Sequence, residues 1–255
     1  MKSFNNIKIG ILGLGYAGLP LAIEFGKKFE VLGFDKNSKR ILELKKSHDK
    51  NLEINQNQFK KAYKLIFSNN LYDLKKCNVF IVSVPTPINK KKEPDLKLIA
   101  EACSSIGSIL KLNDVVIFES TVYPGLTEEF CVPILEKKSK LQYNLEFFCG
   151  YSPERINPND KKHNLINIVK ITSGSNKKTA NFVNNLYKTI IKAGTYKVSS
   201  MAIAEAAKVI ENSQRDLNIA FVNELVLIFN KLQLNVNEVL KAASTKWNFL
   251  NFKPG

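Results

Sequence analysis

Gly13, Gly15 and Gly18 are spaced to bring a backbone close to an anion, and Asp35 stands twenty residues after Gly15. The glycines lie in Gly13-Leu14-Gly15-Tyr16-Ala17-Gly18, between an apolar run and a helix-like segment. A dinucleotide pyrophosphate needs that order. Gly13 allows the tight turn, Gly15 lets the backbone reach the phosphates, and Gly18 lets the helix pack on the strand. Tyr16 and Ala17 then fall at the helix N-terminus, whose unpaired N–H groups and dipole face the anion. Asp35 is placed to accept the adenosine ribose hydroxyls, and its charge would repel a 2′-phosphate, so NAD is favoured over NADP. Lys36 and Arg40 follow closely, and Arg40 joins the cofactor-binding candidates.

A second set lies far along the chain. Lys208, Asn212 and Arg215 recur at i, i+4 and i+7, within roughly 60° of one another on a helix, in a stripe extended by Met201, Ala204, Ile219 and Val222. A lysine and a carboxamide on one face can stabilise a developing alkoxide or hold a water against a carbonyl carbon. The competing reading is structural, with Lys208 paired to Glu205 or Glu211 on an exposed side.

Three further segments follow predicted strands, where open α/β sheets bind ligands. They are Val84-Pro85-Thr86-Pro87, Glu119-Ser120-Thr121 with the Tyr123-Pro124-Gly125 turn, and Ser152-Pro153-Glu154-Arg155-Ile156-Asn157-Pro158. Each alone could be turn chemistry. Together, on a sheet that already carries a nucleotide fingerprint, they predict one site.

The elements that must position these residues alternate. Apolar runs at 7–12, 30–34, 65–68, 79–84, 115–119, 146–151, 168–173 and 195–199 read as strands, with helical patterns at 37–46, 95–110, 127–138 and 177–192. Continuous apolar strands alternating with helices predict an α/β fold, a Rossmann-like, doubly wound and mostly parallel sheet. Residues 201–232 then read as one helix of about 48 Å, followed by a short helix at 236–244. That organisation predicts a domain over 1–199 and, over 200–255, a connecting or dimerisation helix with the start of an all-helical domain.

The chain has 255 residues and a net charge of +15, from 38 basic and 23 acidic residues. Its only arginines are Arg40, Arg155 and Arg215. Base readout favours arginine, and the lysines are scattered, so a solvated surface is expected and not a nucleic-acid face. Cys77, Cys103, Cys131 and Cys149 lack metal-ligand spacing, which predicts buried, reduced thiols and no metal. The apolar run 9–25 is broken by the glycine turn, Pro20 and Glu24, so neither export nor membrane insertion is expected, and the location is cytoplasmic.

With Leu19-Pro20, Val-Pro-Thr-Pro, Glu119-Ser120-Thr121, Ser152-Pro153-Glu154 and Lys208 with Asn212, the chain resembles the UDP-glucose/GDP-mannose dehydrogenase family from its first strand to its last residue. The run 211–220 and Thr245-Lys246-Trp247-Asn248-Phe249 look like the branch oxidising UDP-N-acetylhexosamines, typified by capsule and O-antigen enzymes of polysaccharide biosynthesis. The resemblance implies oxidation of a sugar CH₂OH to a carboxylate with two NAD. It makes the cofactor-binding set Gly13, Gly15, Tyr16, Ala17, Gly18, Asp35, Arg40, Val84, Pro85, Thr86, Glu119, Ser120 and Thr121. Lys208 and Asn212 would stabilise the oxyanion, and Thr121 and Glu154 would order or activate the hydrolytic water. Glu154, Arg155, Ile156, Asn157, Lys208, Asn212 and Arg215 would meet the UDP-sugar. A homodimer through the long helix, near Phe221, Leu225 and Phe229, is also implied.

Two departures stand out. Pro158 occupies a position where many UDP-glucose dehydrogenases carry a second Glu, four after the one matching Glu154. The family's nucleophilic cysteine follows a Phe-x-Pro-Gly segment, whereas this sequence stops at Pro254-Gly255. A thiol is required for the second oxidation, so the expectation is a chain truncated before the cysteine loop and the UDP-binding domain, without full turnover alone. Two other readings stay open: a two-electron β-hydroxyacid dehydrogenase and a non-catalytic NAD-binding module.

Overall fold

A computed structural model describes residues 6–156 and 163–252. The chain divides into two compact units, residues 1–208 and 209–255, and the division falls inside the long helix.

In the first unit eight strands form a single sheet: β1 (Lys8–Leu12), β2 (Glu30–Phe34), β3 (Leu65–Ser68), β4 (Val79–Val82), β5 (Val115–Phe118), β6 (Phe148–Tyr151), β7 (Lys170–Gly174) and β8 (Thr195–Lys197). Their spatial order is β3-β2-β1-β4-β5-β6-β7-β8. All neighbours run parallel except β6 and β7. Every residue of β4 and β5 is buried, which is what unbroken apolar runs require when helices cover both faces. The register pairs Leu12 with Phe34 and Val82, Val82 with Phe118, and Phe118 with Tyr151. The residues just after these strands therefore share one edge of the sheet.

One face packs against α1 (Gly18–Gly26), α2 (Ser38–Lys45), α3 (Gln56–Lys61) and α6 (Lys177–Lys188). The other packs against α4 (Lys97–Gly107), α5 (Val132–Ser139) and the first turns of α7 (Met201–Lys231). Two elements depart from expectation. Helix α3 lies where none was expected; it buries only Phe59 and is held by an Asn55–Gln58 capping box, so it has no apolar period to detect. The helix expected over 127–138 opens as a π-helical turn, Thr127–Cys131, before α5. Pro133 lies in the first turn of α5 and cannot donate an i→i−4 bond.

The second unit holds the rest of α7 and α8 (Val236–Ala243), which is capped by the Asn235 side chain through the N–H groups of Asn237 and Glu238. Among the described residues no helix is long and apolar enough to cross a membrane.

Candidate functional site

The cleft at the strand edge encloses about 640 Å³, within the ~300–1,000 Å³ range of small-molecule sites. Its nucleotide end is the turn from β1 into α1. Gly13 sits at φ +91°, and a Cβ there would lie 2.6 Å from the Ser83 carbonyl oxygen. A Cβ on Gly18 would lie 1.9 Å from the Gly13 carbonyl oxygen. Both glycines are thus fixed by close approach within the protein. Gly15 is different, because a Cβ there would meet nothing within 4 Å. It lines the cleft beside Tyr16 and Ala17, leaving room for a group to reach the backbone. Gly18 lies behind the wall, serving helix packing.

Asp35 follows β2 and lines the same cleft. Its Oδ2 accepts the Leu14 N–H at 3.0 Å and its Oδ1 accepts the Asn37 N–H at 2.9 Å. The carboxylate is therefore held in one orientation, with a second lone pair on each oxygen still able to accept a hydroxyl.

Val84, Pro85 and Thr86 after β4, and Glu119, Ser120 and Thr121 after β5, line the same cleft. The two segments are tied together. Ser120 Oγ donates to the Val84 carbonyl at 2.6 Å, and Thr86 Oγ1 donates to the Thr121 carbonyl at 2.5 Å. From α7, the buried Glu205 accepts the Gly125 and Thr127 N–H groups at 2.6 and 3.1 Å. Glu205 is therefore the acceptor that fixes the turn after Thr121, and both it and Lys208 are buried, not on an exposed side.

At the far end Glu154 lines the cleft, almost fully buried. Desolvation raises its carboxyl pKa above the ordinary value, opposed by Lys170, by the Ile156 N–H bonded to it, and by Lys208. Tyr16 across the cleft is raised as well, by burial and then by the Glu154 charge. Lys208 is buried, and its charge acts on Glu154.

Lys170, absent from the sequence-level candidates, organises this end. Its Nζ lies 2.6 Å from Glu119 Oε2, donates to the Pro153 carbonyl at 3.0 Å, and sits 5.5 Å from the Tyr187 ring centre. The other Glu119 oxygen accepts the Tyr187 hydroxyl. Glu119 thus belongs to the cleft wall, with one partner inside the protein on each of its oxygens. The only signal for Lys170 in the sequence is a single cation in an otherwise uncharged strand.

Several expected residues lie elsewhere. Arg40 does not reach the cleft: it is buried behind the glycine loop, ion-paired with Glu43 and Asp49 at 2.8 Å each. Its contact with the loop is backbone, Nε donating to the Leu14 carbonyl at 3.0 Å. Arg155 Nη1 donates to the Val169 carbonyl at 2.7 Å, and the half-buried Ile156 packs against the core. Asn157 lies outside the described residues. In the second unit, Arg215 Nη2 donates to Asn212 Oδ1 at 2.7 Å. The four cysteines are buried. Burial pushes the Cys77 thiol up to about 12 and raises Cys149 well above its usual value, and a shared S–H bond with Cys103 raises Cys131.

The open backbone at Gly15, the anchored acid at Asp35 and the size of the cleft all suit a dinucleotide. The likenesses to known proteins agree. The chain is 58% identical over 250 residues to the UDP-N-acetyl-D-glucosamine 6-dehydrogenase of Pseudomonas aeruginosa, covering 98% of this chain and 59% of that protein. It is 55% identical to the enzyme of the same name from Salmonella typhi, covering 100% of this chain and 60% of that one. It superposes on the structure of UDP-D-ManNAc dehydrogenase from Pyrococcus horikoshii with a TM-score of 0.91 at 32% identity, covering 98% and 60% of the two chains. The chain thus spans about 60% of the length of the curated relatives it matches. Residues 7–191 match the NAD-binding domain and residues 202–255 the central domain of one family. With the glycine loop, the anchored acid and both domain matches in one chain, it belongs to the UDP-glucose/GDP-mannose dehydrogenase family.

Proposed function

We propose that this chain carries the NAD-binding and oxyanion-stabilising part of a UDP-N-acetylhexosamine 6-dehydrogenase, with UDP-N-acetylglucosamine as first candidate and its galacto epimer as second. The product would be a uronic acid nucleotide for surface polysaccharide synthesis in the cytoplasm. The observation that carries this reading is the convergence, on one strand edge, of an open glycine loop, an anchored Asp35 and a desolvated Glu154 under two lysines.

Bound NAD would supply the hydride acceptor for the sugar C6, and the remaining tasks would fall to the chain itself. The N–H groups of the glycine loop would hold the pyrophosphate and Asp35 the ribose hydroxyls. The cations able to recruit a 2′-phosphate are committed: Arg40 to Glu43 and Asp49, and Lys36 to Glu101 at 2.7 Å. That supports NAD over NADP. Lys208 and Asn212, one turn apart along α7, would stabilise the oxyanion at C6. Thr121 would orient a water, and Glu154, its carboxyl biased toward protonation, is suited to take that water's proton. Asn157 and Arg215 would face the sugar, whereas Arg155 and Ile156 are held by the Val169 carbonyl and the core. All four cysteines are buried, and none lines the cleft. On α7, Phe221 is exposed and Leu225 and Phe229 are half-buried, which supports pairing of two chains through the long helix.

The test is to supply the protein with NAD⁺ and, in turn, UDP-N-acetylglucosamine, the galacto epimer and a small β-hydroxyacid, following NADH. Reduction driven by a UDP-sugar alone supports the reading. Oxidation of the hydroxyacid without response to either UDP-sugar overturns it.

A further inference from the structure

Leu14, between Gly13 and Gly15, has both of its peptide groups held by charged side chains from the next βα unit. Its N–H donates to Asp35 Oδ2 at 3.0 Å, and its carbonyl accepts Arg40 Nε at 3.0 Å. The guanidinium is fixed in turn. Nη1 donates to Glu43 Oε1 at 2.8 Å, and Nη2 lies 2.8 Å from Asp49 Oδ1. The other Asp49 oxygen accepts the N–H groups of Glu53 and Ile54 at 3.0 and 3.1 Å. Arg40 is only 5% exposed, so this is a buried strut between the loop after α2 and the glycine turn.

We propose that Arg40 is a positioning residue for the anion site: by holding the Leu14 carbonyl, it aims the Gly15 N–H into the cleft. The inference rests on the NAD reading above. In a trans peptide the C=O and the following N–H point in opposite directions. Leu14 C=O and Gly15 N–H share one plane, so fixing the oxygen at Arg40 turns the N–H the other way. Gly15 lines the cleft, and the space around it admits even an added Cβ without contact. The preceding plane follows the same rule. With Leu14 N–H tied to Asp35, the Gly13 carbonyl points the opposite way, and it is the atom against which a Cβ on Gly18 would clash. Glycine is needed here for close approach, yet it also lets a peptide plane rotate at small cost. The two charged contacts remove that freedom before a ligand arrives, so binding does not have to bear the ordering.

The test compares Arg40→Gln with Arg40→Met. Both lose the guanidinium and its ion pairs. Gln places its amide nitrogen at the same branch point as Arg Nε and can still donate to the Leu14 carbonyl, whereas Met cannot. NAD⁺ and adenosine, which lacks the pyrophosphate, are titrated calorimetrically into the unsubstituted chain and both variants, and the Gly15 amide resonance is followed without ligand. The expected result is NAD⁺ affinity about tenfold lower in Met than in Gln, the size of one lost hydrogen bond. Adenosine affinity should be equal in the two, with the Gly15 amide shifted only in Met. If the unpaired Glu43 and Asp49 prevent folding, the same pair is made in a Glu43→Gln/Asp49→Asn background. Equal NAD⁺ affinity in Met and Gln, with an unchanged Gly15 amide, overturns the inference. Failure of the unsubstituted chain to bind NAD⁺ overturns instead the reading on which it rests.

Discussion

The two ends of the cleft are made of different material. At the nucleotide end the working groups are backbone: glycine amides whose direction is set by Asp35 and Arg40 from one neighbouring βα unit. At the other end they are titratable side chains, Glu119, Glu154, Lys170 and Lys208, buried together and balanced against one another. A backbone site tolerates little change in shape but carries no net charge to solvate. A side-chain site tolerates changes in shape but depends on every charge keeping its partner. Substitutions at the two ends should therefore fail in different ways.

The largest effect is expected at the charged end. Lys170→Met leaves Glu119 buried without its cation, and removing one member of a buried pair costs about 3–5 kcal/mol. Thermal unfolding should show a drop of roughly 6–20 °C at ~2–4 °C per kcal/mol. A melting point within error of the parent would mean that the 2.6 Å pair contributes nothing.

The nucleotide end separates its own glycines. Gly18→Ala drives a Cβ into the Gly13 carbonyl and should cost about 1–3 kcal/mol of stability, together with cofactor binding. Gly15→Ala meets open space, so its melting point should hold while NAD⁺ affinity falls about tenfold or more, as a methyl enters the room meant for the ligand. Calorimetry beside thermal melts on both variants distinguishes them. Equal losses of stability would contradict a division between packing and binding glycines.

The same contrast explains what could be read from the chain. The central strands, α7 and the glycine loop are legible because each is a local pattern: unbroken apolar runs, a long stretch without proline or glycine, and a fixed spacing that geometry demands. The charged end was only partly legible. Glu119 meets Lys170 across 51 residues and Tyr187 across 68, and no local pattern encodes such pairings. Arg40 shows the converse. Its position after Asp35 suggested a cofactor contact, but Glu43 and Asp49 draw it inward, a competition visible only once the loop after α2 is folded back.

A smaller effect is expected from pH. Desolvation raises the folded pKa of Glu154 above its ordinary 4.5. Between the unfolded and folded values the native state binds the extra proton, so Glu154 makes the folded chain lose stability as pH climbs through that window. Glu154→Gln has no such loss and should gain on the parent as pH rises from about 4.5. Denaturant titrations at stepped pH check it, and parallel curves would contradict it.

The smallest effect concerns the cleft mouth, where Lys36 and Glu101 are both more than half exposed. Exposed pairs are worth only about 0–1 kcal/mol. Glu101→Gln, which frees Lys36, should improve NADP⁺ binding only a few-fold and leave NAD⁺ binding nearly unchanged. A large gain would make that pair a main determinant of cofactor choice and demote Asp35.

The central claim is that peptide planes fixed in advance, beside an anchored carboxylate, form a dinucleotide site. Isothermal titration of this chain with NAD⁺ addresses it directly. Saturable one-to-one binding, much tighter than that of NADP⁺, is the predicted result. A folded chain that shows no saturable heat with NAD⁺ or NADH would contradict it.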